Sequence, residues 1–140
     1  VAEDARFEAE ASQRRIELVP CPDCTLQGQP ELLQRALENI VRNAIRFTPE
    51  HAAVRIETAL TVSRDNLLIR VLDQGPGIDK DELEAIFEPF YRGDKPTGSG
   101  YGLGLAIAKR VIETHHGSIR ASNLPNGGFC MEIILPVQVA

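Results

Sequence analysis

Hydrophobic side chains recur with helical spacing in two stretches of the chain. Between residues 30 and 47 they form one apolar stripe of Leu33, Leu37, Ile40, Val41 and Ala44. Pro30 suits the first turn of a helix, and Thr48 and Pro49 end the run. The spacing returns between residues 102 and 115 in Leu103, Ile107, Val111 and Ile112, with Gly117 as the expected C-cap. Both stretches predict amphipathic helices.

The other apolar positions lie in short β-rich runs. They predict strands at 15–19, 54–62, 67–72, 118–121 and 129–135, and a further short strand around 25–27. Polar turns at 63–66 and 125–128 predict two antiparallel hairpins. Residues 79–87 predict a short helix with an acidic N-terminus, and 88–101, which are rich in Pro, Gly and charge, predict a mobile loop.

These elements predict an α/β (α+β) two-layer sandwich, in which a mixed, mostly antiparallel sheet of about five strands carries three helices on one face. A chain of 140 residues, 43% of them hydrophobic, suits one domain with one core. Residues 1–12 alternate charge with alanine and predict the tail of an upstream helix or a linker. The folded domain is therefore expected at 13–140.

Charge and cysteine content exclude several classes of function. The net charge of -5, with scattered basic residues, argues against a nucleic-acid partner. Apolar runs are too short for membrane insertion, and we expect a monomer. Three cysteines do not indicate a disulfide framework. A zinc site or redox pair at Cys21 and Cys24, with Cys130, His115 or His116 as distant partners, remains an alternative, but no second pair has zinc-finger spacing.

Candidate chemistry begins on the first long helix. Asn39 and Asn43 are four residues apart and Arg46 follows three later, so the three side chains share one polar stripe. Amide oxygens can ligate Mg²⁺, and an arginine can contact a phosphate. The alternative is an ordinary solvated helix face.

Two glycine-rich segments follow. In Asp73-Gln74-Gly75-Pro76-Gly77, an acid at a strand end can accept a hydrogen bond from an exocyclic amine, and the glycines permit close approach of a flat ring. The run from Gly98 to Leu105 enters a helix start, where backbone N–H groups favour an anion. Its spacing matches neither a P-loop nor a dinucleotide-binding motif. A β-turn and a flexible hinge are the respective alternatives.

Taken together and in this order, the three segments resemble the N, G1 and G2 boxes of the GHKL ATP-binding superfamily. Phe87-Glu88-Pro89-Phe90-Tyr91-Arg92 is similar to the F box of bacterial sensor histidine kinases. The resemblance spans about residues 29–136. It implies the catalytic ATP-binding (HATPase_c, Bergerat-fold) domain of a two-component sensor histidine kinase, with ATP and Mg²⁺ as cofactors.

The resemblance also implies a role for each matching residue. Asn43 would bind Mg²⁺, Asn39 would support the phosphates, and Arg46 and Arg92 would contact phosphate, with Asn39, Arg46 and Arg92 as the catalytic set. Asp73 would accept the adenine amine. Phe47, Gly75, Gly77 and Ile78 would surround the base, and the phosphates would lie against Gly100, Tyr101, Gly102, Leu103, Gly104 and Leu105. Phe47 replaces the commoner Tyr, and Tyr101 replaces Thr or Ser.

The resemblance implies phosphotransfer in preference to hydrolysis. Related hydrolytic enzymes carry a glutamate as general base where this chain has Asn39, and an amide cannot accept the proton. The expected acceptor is a histidine on a separate dimerisation domain, with a response regulator downstream, in the cytoplasmic part of an inner-membrane sensor. Three alternatives remain: a GHKL ATPase or clamp domain, an anti-sigma-type serine kinase, and a nucleotide-binding module without transfer activity.

Overall fold

The computed structural model describes residues 15–18, 26–63, 65–88, 104–125 and 127–137. Its strands are β1 (Arg15–Leu18), β2 (Ala53–Leu60), β3 (Asn66–Asp73), β4 (Ser118–Asn123) and β5 (Phe129–Pro136). Its α-helices are α1 (Pro30–Phe47) and α2 (Gly104–Thr114). Two 3₁₀ turns, Lys80–Glu82 and Ala85–Phe87, lie between β3 and α2. Among these residues, no helix is long and apolar enough to cross a membrane.

The five strands form one sheet in the order β1-β2-β3-β5-β4. β1 runs parallel to β2, and every other pair is antiparallel. The two predicted hairpins are confirmed, with Ile56 opposite Val71 in the first and Ala121 opposite Met131 in the second. The mixed, mostly antiparallel sheet is therefore confirmed.

The core lies between the sheet and the helices. Alternate residues of β3 and β5 face the helices as register pairs, among them Ile69 with Ile133 and Val71 with Met131, and all four are buried. α1 begins and ends where the sequence predicts and buries Leu33, Ile40, Val41 and Ala44 of the predicted stripe. α2 adds Leu105, Ala108 and Ile112 to the same core. Helical packing on one face of the sheet agrees with the predicted two-layer sandwich.

The opposite face of the sheet carries a row of alternating charges. In register across four strands, Glu57 lies opposite Arg70, Arg70 opposite Glu132, and Glu132 opposite Arg120. Glu132 Oε2 accepts from Arg70 Nε at 3.3 Å, and its Oε1 accepts from Arg120 at 3.4 Å. These cross-strand pairs explain why charged residues of the sheet are tolerated on this solvated face.

Two local predictions differ from the structure before α2. Leu26 and Gln27 are not in a strand. Two residues later, the Gln29 N–H donates to His115 Nε2 at 3.0 Å, just beyond the end of α2, so the chain here is held by a side chain and not by a strand partner. The helix predicted at 79–87 forms two 3₁₀ turns, and the Asp79 side chain makes no cap hydrogen bond. A short segment that must bury Ile86 and Phe87 while its first turn stays exposed favours tight turns over a continuous α-helix.

The end of α2 also differs. His116, with φ 66°, takes the left-handed position expected for Gly117, and the Gly117 N–H closes the motif on Ile112 O at 2.9 Å. Gly117 is required for packing instead, since a Cβ there would lie 2.4 Å from Ile134 O. The predicted strand residues Val19 and Thr25, the tail 1–12 and the loop from 89 onward lie outside the described residues.

Candidate functional site

The polar stripe of α1 lies beside the start of α2. Asn39 and Asn43 are half-buried, and Arg46 is exposed in the last helical turn. A Cβ built on Gly104, the first residue of α2, would lie 4.0 Å from Asn39 Cγ. The first N–H groups of a helix lack intrahelical partners and attract anions. The structure therefore brings the amide stripe and a potential phosphate-binding helix start together.

Asp73 ends β3 as a buried acid, only 5% exposed. Its Oδ1 accepts a hydrogen bond from the Gly75 N–H at 2.8 Å. Burial raises the pKa of Asp73 from 3.8 to about 6, and the Gly75 hydrogen bond offsets part of that rise. Near neutral pH the group is an ionised acceptor in a desolvated position, which suits recognition of an amine.

The loop that follows Asp73 packs against the end of α1. A Cβ on Gly75 would lie 2.6 Å from the Phe47 carbonyl oxygen, so this contact requires glycine. The Gln74 N–H donates to Thr48 Oγ1 at 3.3 Å, and Thr48 is only 1% exposed. The acidic strand end is thereby coupled to the helix that carries Asn43.

The far end of this loop is held by β4. Gly77 has φ 78°, in the left-handed region that favours glycine. Ile78, half-buried, donates its N–H to Asn123 Oδ1 at 3.0 Å and accepts from Asn123 Nδ2 at 2.7 Å. The predicted base-lining residues therefore have a defined backbone position.

The described site residues lie on three elements that meet. α1 carries the amide stripe and Phe47, the loop 73–78 contacts the end of α1, and α2 begins at Gly104 beside Asn39. Leu105 is buried in the core and contributes its side chain to packing. Five predicted residues lie outside the described part of the chain, namely Arg92, Gly100, Tyr101, Gly102 and Leu103.

The chemistry of these groups fits a magnesium-bound adenine nucleotide. Asp73 is a buried acceptor of the kind that an exocyclic amine requires, the glycines permit close approach, and the start of a helix favours an anion such as phosphate. The amide oxygens of α1 are hard ligands of the kind that Mg²⁺ accepts alongside phosphate oxygens. Within the described ranges, no group of three or more His, Cys, Asp or Glu residues is arranged to hold a metal.

The zinc or redox alternative receives no support from the described residues. Both ring nitrogens of His115 are engaged, Nε2 by the Gln29 N–H and Nδ1 by Val111 O at 2.8 Å. Cys130 is buried on the sheet, and burial raises the pKa of its thiol, which disfavours the reactive thiolate. His51 and His116 are exposed, as expected for surface histidines. Cys21 and Cys24 lie outside the described residues.

Two residues that organise the site loop, Thr48 and Asn123, and one that links the two helices, His115, are not predicted by the sequence patterns. The sequence predicts Thr48 only as a helix stop, and Asn123 lies between the predicted strand 118–121 and the predicted turn 125–128, with no role assigned. Asn123 contacts a backbone 45 residues away, and His115 contacts one 86 residues away. Local sequence contains no signal for such distant partners.

A separate groove runs along the edge strand β4. Its volume is about 960 Å³, and it is lined by both 3₁₀ turns, Lys109 and residues of β4 and β5. At its wall, Lys109 Nζ lies 5.3 Å from the centre of the Phe87 ring, which favours a cation–π contact. Neither Asn39 nor Asp73 lines this groove, so it is distinct from the site described above.

Comparisons with known proteins identify the family. The model of the histidine kinase-, DNA gyrase B-, and HSP90-like ATPase family matches residues 28–139. The sensor histidine kinase CpxA of Escherichia coli (strain K12) is 40% identical over 141 residues, which is 98% of this chain and 30% of CpxA. The chain therefore spans less than a third of that relative.

Solved structures show the same fold. The mycobacterial sensor histidine kinase MprB superposes with a TM-score of 0.84 at 27% identity, covering 99% of this chain and 91% of that structure. Full-length ShkA, solved in complex with AMPPNP, superposes with a TM-score of 0.82 at 27% identity, covering 99% of this chain and 29% of ShkA.

Proposed function

The chain belongs to the histidine kinase-, DNA gyrase B-, and HSP90-like ATPase family, and we propose that it binds Mg²⁺-ATP and donates the γ-phosphate to a histidine on a separate domain. The observation that carries this proposal is the meeting of α1, the loop after Asp73 and the start of α2. The ATP-analogue complex of ShkA supports the choice of nucleotide.

The proposed site divides into a base end and a phosphate end. At the base end, ionised Asp73 accepts the adenine amine, while Phe47, Gly75, Gly77 and Ile78 surround the ring. At the phosphate end, Asn39 and Arg46 orient the triphosphate together with the start of α2 at Gly104 and Leu105. Asn43 is the proposed Mg²⁺ ligand. Bound Mg²⁺ supplies charge neutralisation at the phosphates.

Five further residues complete the proposed phosphate end from outside the described part of the chain. Arg92 contacts the γ-phosphate in this proposal, and the backbone of Gly100, Tyr101, Gly102 and Leu103 covers the phosphates. Their roles rest on the match to the F and G2 boxes.

The residues of α1 favour transfer over hydrolysis. Asn39 lies next to the start of α2, where the phosphates are proposed to bind, and its amide cannot act as a general base for water. The neighbouring Glu38 accepts a hydrogen bond from Gln34 Nε2 at 3.2 Å along the helix. A positioned nucleophile from another domain is thus required for efficient reaction.

The proposed setting is a two-component pathway. The acceptor is a histidine-bearing dimerisation domain of the same protein, and a response regulator receives the phosphate afterwards. The names of the relatives, sensor histidine kinases and sensor proteins, support this setting. Residues 1–12 would belong to the connection with the dimerisation domain, and the chain would lie on the cytoplasmic side of an inner-membrane sensor.

Calorimetric titration tests the first half of the proposal. A non-hydrolysable ATP analogue is titrated into the chain with and without Mg²⁺, and binding that strengthens with Mg²⁺ is expected. Asp73→Asn should weaken this binding, whereas Asp65→Asn, the same charge change at an exposed turn, should leave it unaltered. Wild-type chain that gives no binding heat, or equal losses in both variants, would refute the site.

Phosphotransfer tests the second half. Incubation of the chain alone with labelled ATP should give no stable phosphohistidine, because each described histidine is exposed or engaged in structural contacts. Adding a protein that contains the histidine-bearing dimerisation domain should give acid-labile label on that histidine. Acid-stable label would instead indicate a serine kinase, and phosphate release without protein labelling would indicate an ATPase.

A further inference from the structure

Asn123 holds one residue of the base-end loop by two hydrogen bonds. Its Oδ1 accepts the Ile78 N–H at 3.0 Å, and its Nδ2 donates to the Ile78 carbonyl at 2.7 Å. A single amide thus satisfies both backbone polar groups of Ile78, as a neighbouring strand would. The loop is in no regular element here, so these bonds replace the missing strand partner.

The approach of Asn123 depends on Gly77. A Cβ on Gly77 would lie 2.6 Å from Asn123 Oδ1, and the φ of 78° is unfavourable for other residues. The Asn123 amide can therefore reach the Ile78 backbone only because residue 77 has no side chain. This explains a glycine at position 77 without requiring that the nucleotide itself contact it.

The hairpin that carries Asn123 also contacts the other end of the same loop. Asn123 is the last residue of β4 and pairs with Phe129, and the following turn closes through the Leu124 N–H on Gly128 O at 3.0 Å. A Cβ on Gly128 would lie 2.5 Å from the Asp73 carbonyl oxygen. The end of β4 therefore contacts Ile78, near the end of the loop, and the β4–β5 turn approaches Asp73, where the loop begins.

We propose that Asn123 is a positioning residue for base recognition, which sets the distance between the Asp73 carboxylate and the Gly77–Ile78 wall. This inference rests on the proposed adenine site but adds a residue outside its sequence motifs. Without the amide, Asp73 keeps its own bond to Gly75, while the opposite wall of the pocket loses its anchor. Loss of the amide should then reduce the preference for adenine over other bases, while contacts to the triphosphate are largely retained.

Competition between two nucleotides measures this effect. ATP and ITP carry the same triphosphate, but ITP lacks the exocyclic amine that Asp73 is proposed to accept. Asn123→Ala should weaken ATP binding by roughly fivefold to thirtyfold, as expected for two lost hydrogen bonds, and change ITP binding much less. The dissociation constant of ITP divided by that of ATP should therefore become smaller. Asn66→Ala, the same change at the start of β3, is the matched control and should leave the ratio intact.

Asn123→Asp is a second variant that keeps the acceptor for the Ile78 N–H but loses the donor to the Ile78 carbonyl. Its added charge affects both triphosphates alike, so an intermediate ratio is expected, and this variant decides the matter if the alanine variant does not fold. If the folded variants keep the wild-type ratio, whether ATP and ITP binding are both unchanged or both weakened by the same factor, the inference is overturned. Wild-type chain that binds neither nucleotide would overturn the proposed function itself.

Discussion

The carboxylate of Asp73 and the backbone N–H of Gly75 form a 2.8 Å hydrogen bond inside the fold, at the end of the strand that leads into the proposed base pocket. A carboxylate offers about four acceptor positions, so one backbone donor leaves capacity for a ligand amine. The same side chain can therefore shape its loop and recognise a base. Several measurable consequences depend on its ionisation.

Nucleotide binding should weaken in acid. The pKa of Asp73 is raised to about 6, and only the ionised carboxylate is a pure acceptor for the adenine amine. Affinity should therefore fall as the pH drops through about 6, by about tenfold one pH unit below that value. Titrations of ATP from pH 8 to pH 5 measure this. In Asp73→Asn, the pH dependence of ATP affinity that remains is that of the phosphates. If this variant shows the same pH dependence as the wild type, ionisation of Asp73 is not the cause.

Removing the charge of Asp73 should stabilise the fold at neutral pH. Because the folded pKa of about 6 exceeds the ordinary 3.8, the stabilising contribution of this carboxyl is fully present below 3.8 and is lost as the pH rises through about 6. The difference corresponds to at most about 3 kcal/mol in the free energy of unfolding at pH 8. Asn retains an Oδ1 for the Gly75 N–H, so Asp73→Asn should raise that free energy while weakening ATP binding.

Urea denaturation of Asp73→Asn at pH 8 and at pH 4 measures the effect on stability. The gain should be present at pH 8 and largely absent at pH 4, where the native acid is already protonated. Asp65→Asn, at an exposed turn, should give no such difference. A variant that is less stable than the wild type at pH 8 would show that the charge stabilises this fold.

Two glycine substitutions should have opposite effects on stability. At Gly104 a methyl group meets only Asn39 Cγ at 4.0 Å, so Gly104→Ala should be neutral or stabilise the helix by up to about 1 kcal/mol. At Gly75 the methyl group would lie 2.6 Å from a backbone oxygen, so Gly75→Ala should destabilise the fold by about 1–3 kcal/mol, as overpacking does.

Nucleotide titration of Gly104→Ala then separates fold from function. If the helix start binds phosphate, the added methyl group beside Asn39 should weaken ATP binding in a fully stable protein. Thermal denaturation supplies the stability and calorimetry the affinity. Wild-type affinity in this variant would argue against close approach of the phosphates to Gly104.

His115 should contribute to stability by joining the two helices. Its Nε2 accepts the Gln29 N–H at the start of α1, and its Nδ1 donates to Val111 O in α2. His115→Ala leaves the Gln29 N–H without this acceptor and should lower the free energy of unfolding by about 1–2 kcal/mol. The adjacent His116→Gly should instead be neutral or stabilising, because φ 66° favours glycine. Chemical denaturation of both variants measures this difference in the free energy of unfolding. Equal losses of stability in the two variants would contradict the prediction.

Sequence patterns predicted the regular elements well where one face of a helix or strand is buried and the other is exposed. The stripe on α1 and the alternation on β3 and β5 follow from burial of one face, and their bounds agree with the structure to within one or two residues at most ends. Segment 79–87 and the end of α2 were less predictable. There the outcome depends on burial of Ile86 and Phe87 and on the closeness of Gly117 to Ile134.

The sequence by itself determined the fold class, the two amphipathic helices, the hairpins and the chemical types of the candidate site, because periodicity and residue chemistry are local properties. Only the tertiary structure decided that Asn39 lies beside Gly104, that Asp73 is buried enough to raise its pKa, and that Asn123 holds Ile78. Those relationships join residues far apart in the chain. They arise from packing of the helices and the β4–β5 turn around one core, which no local pattern encodes.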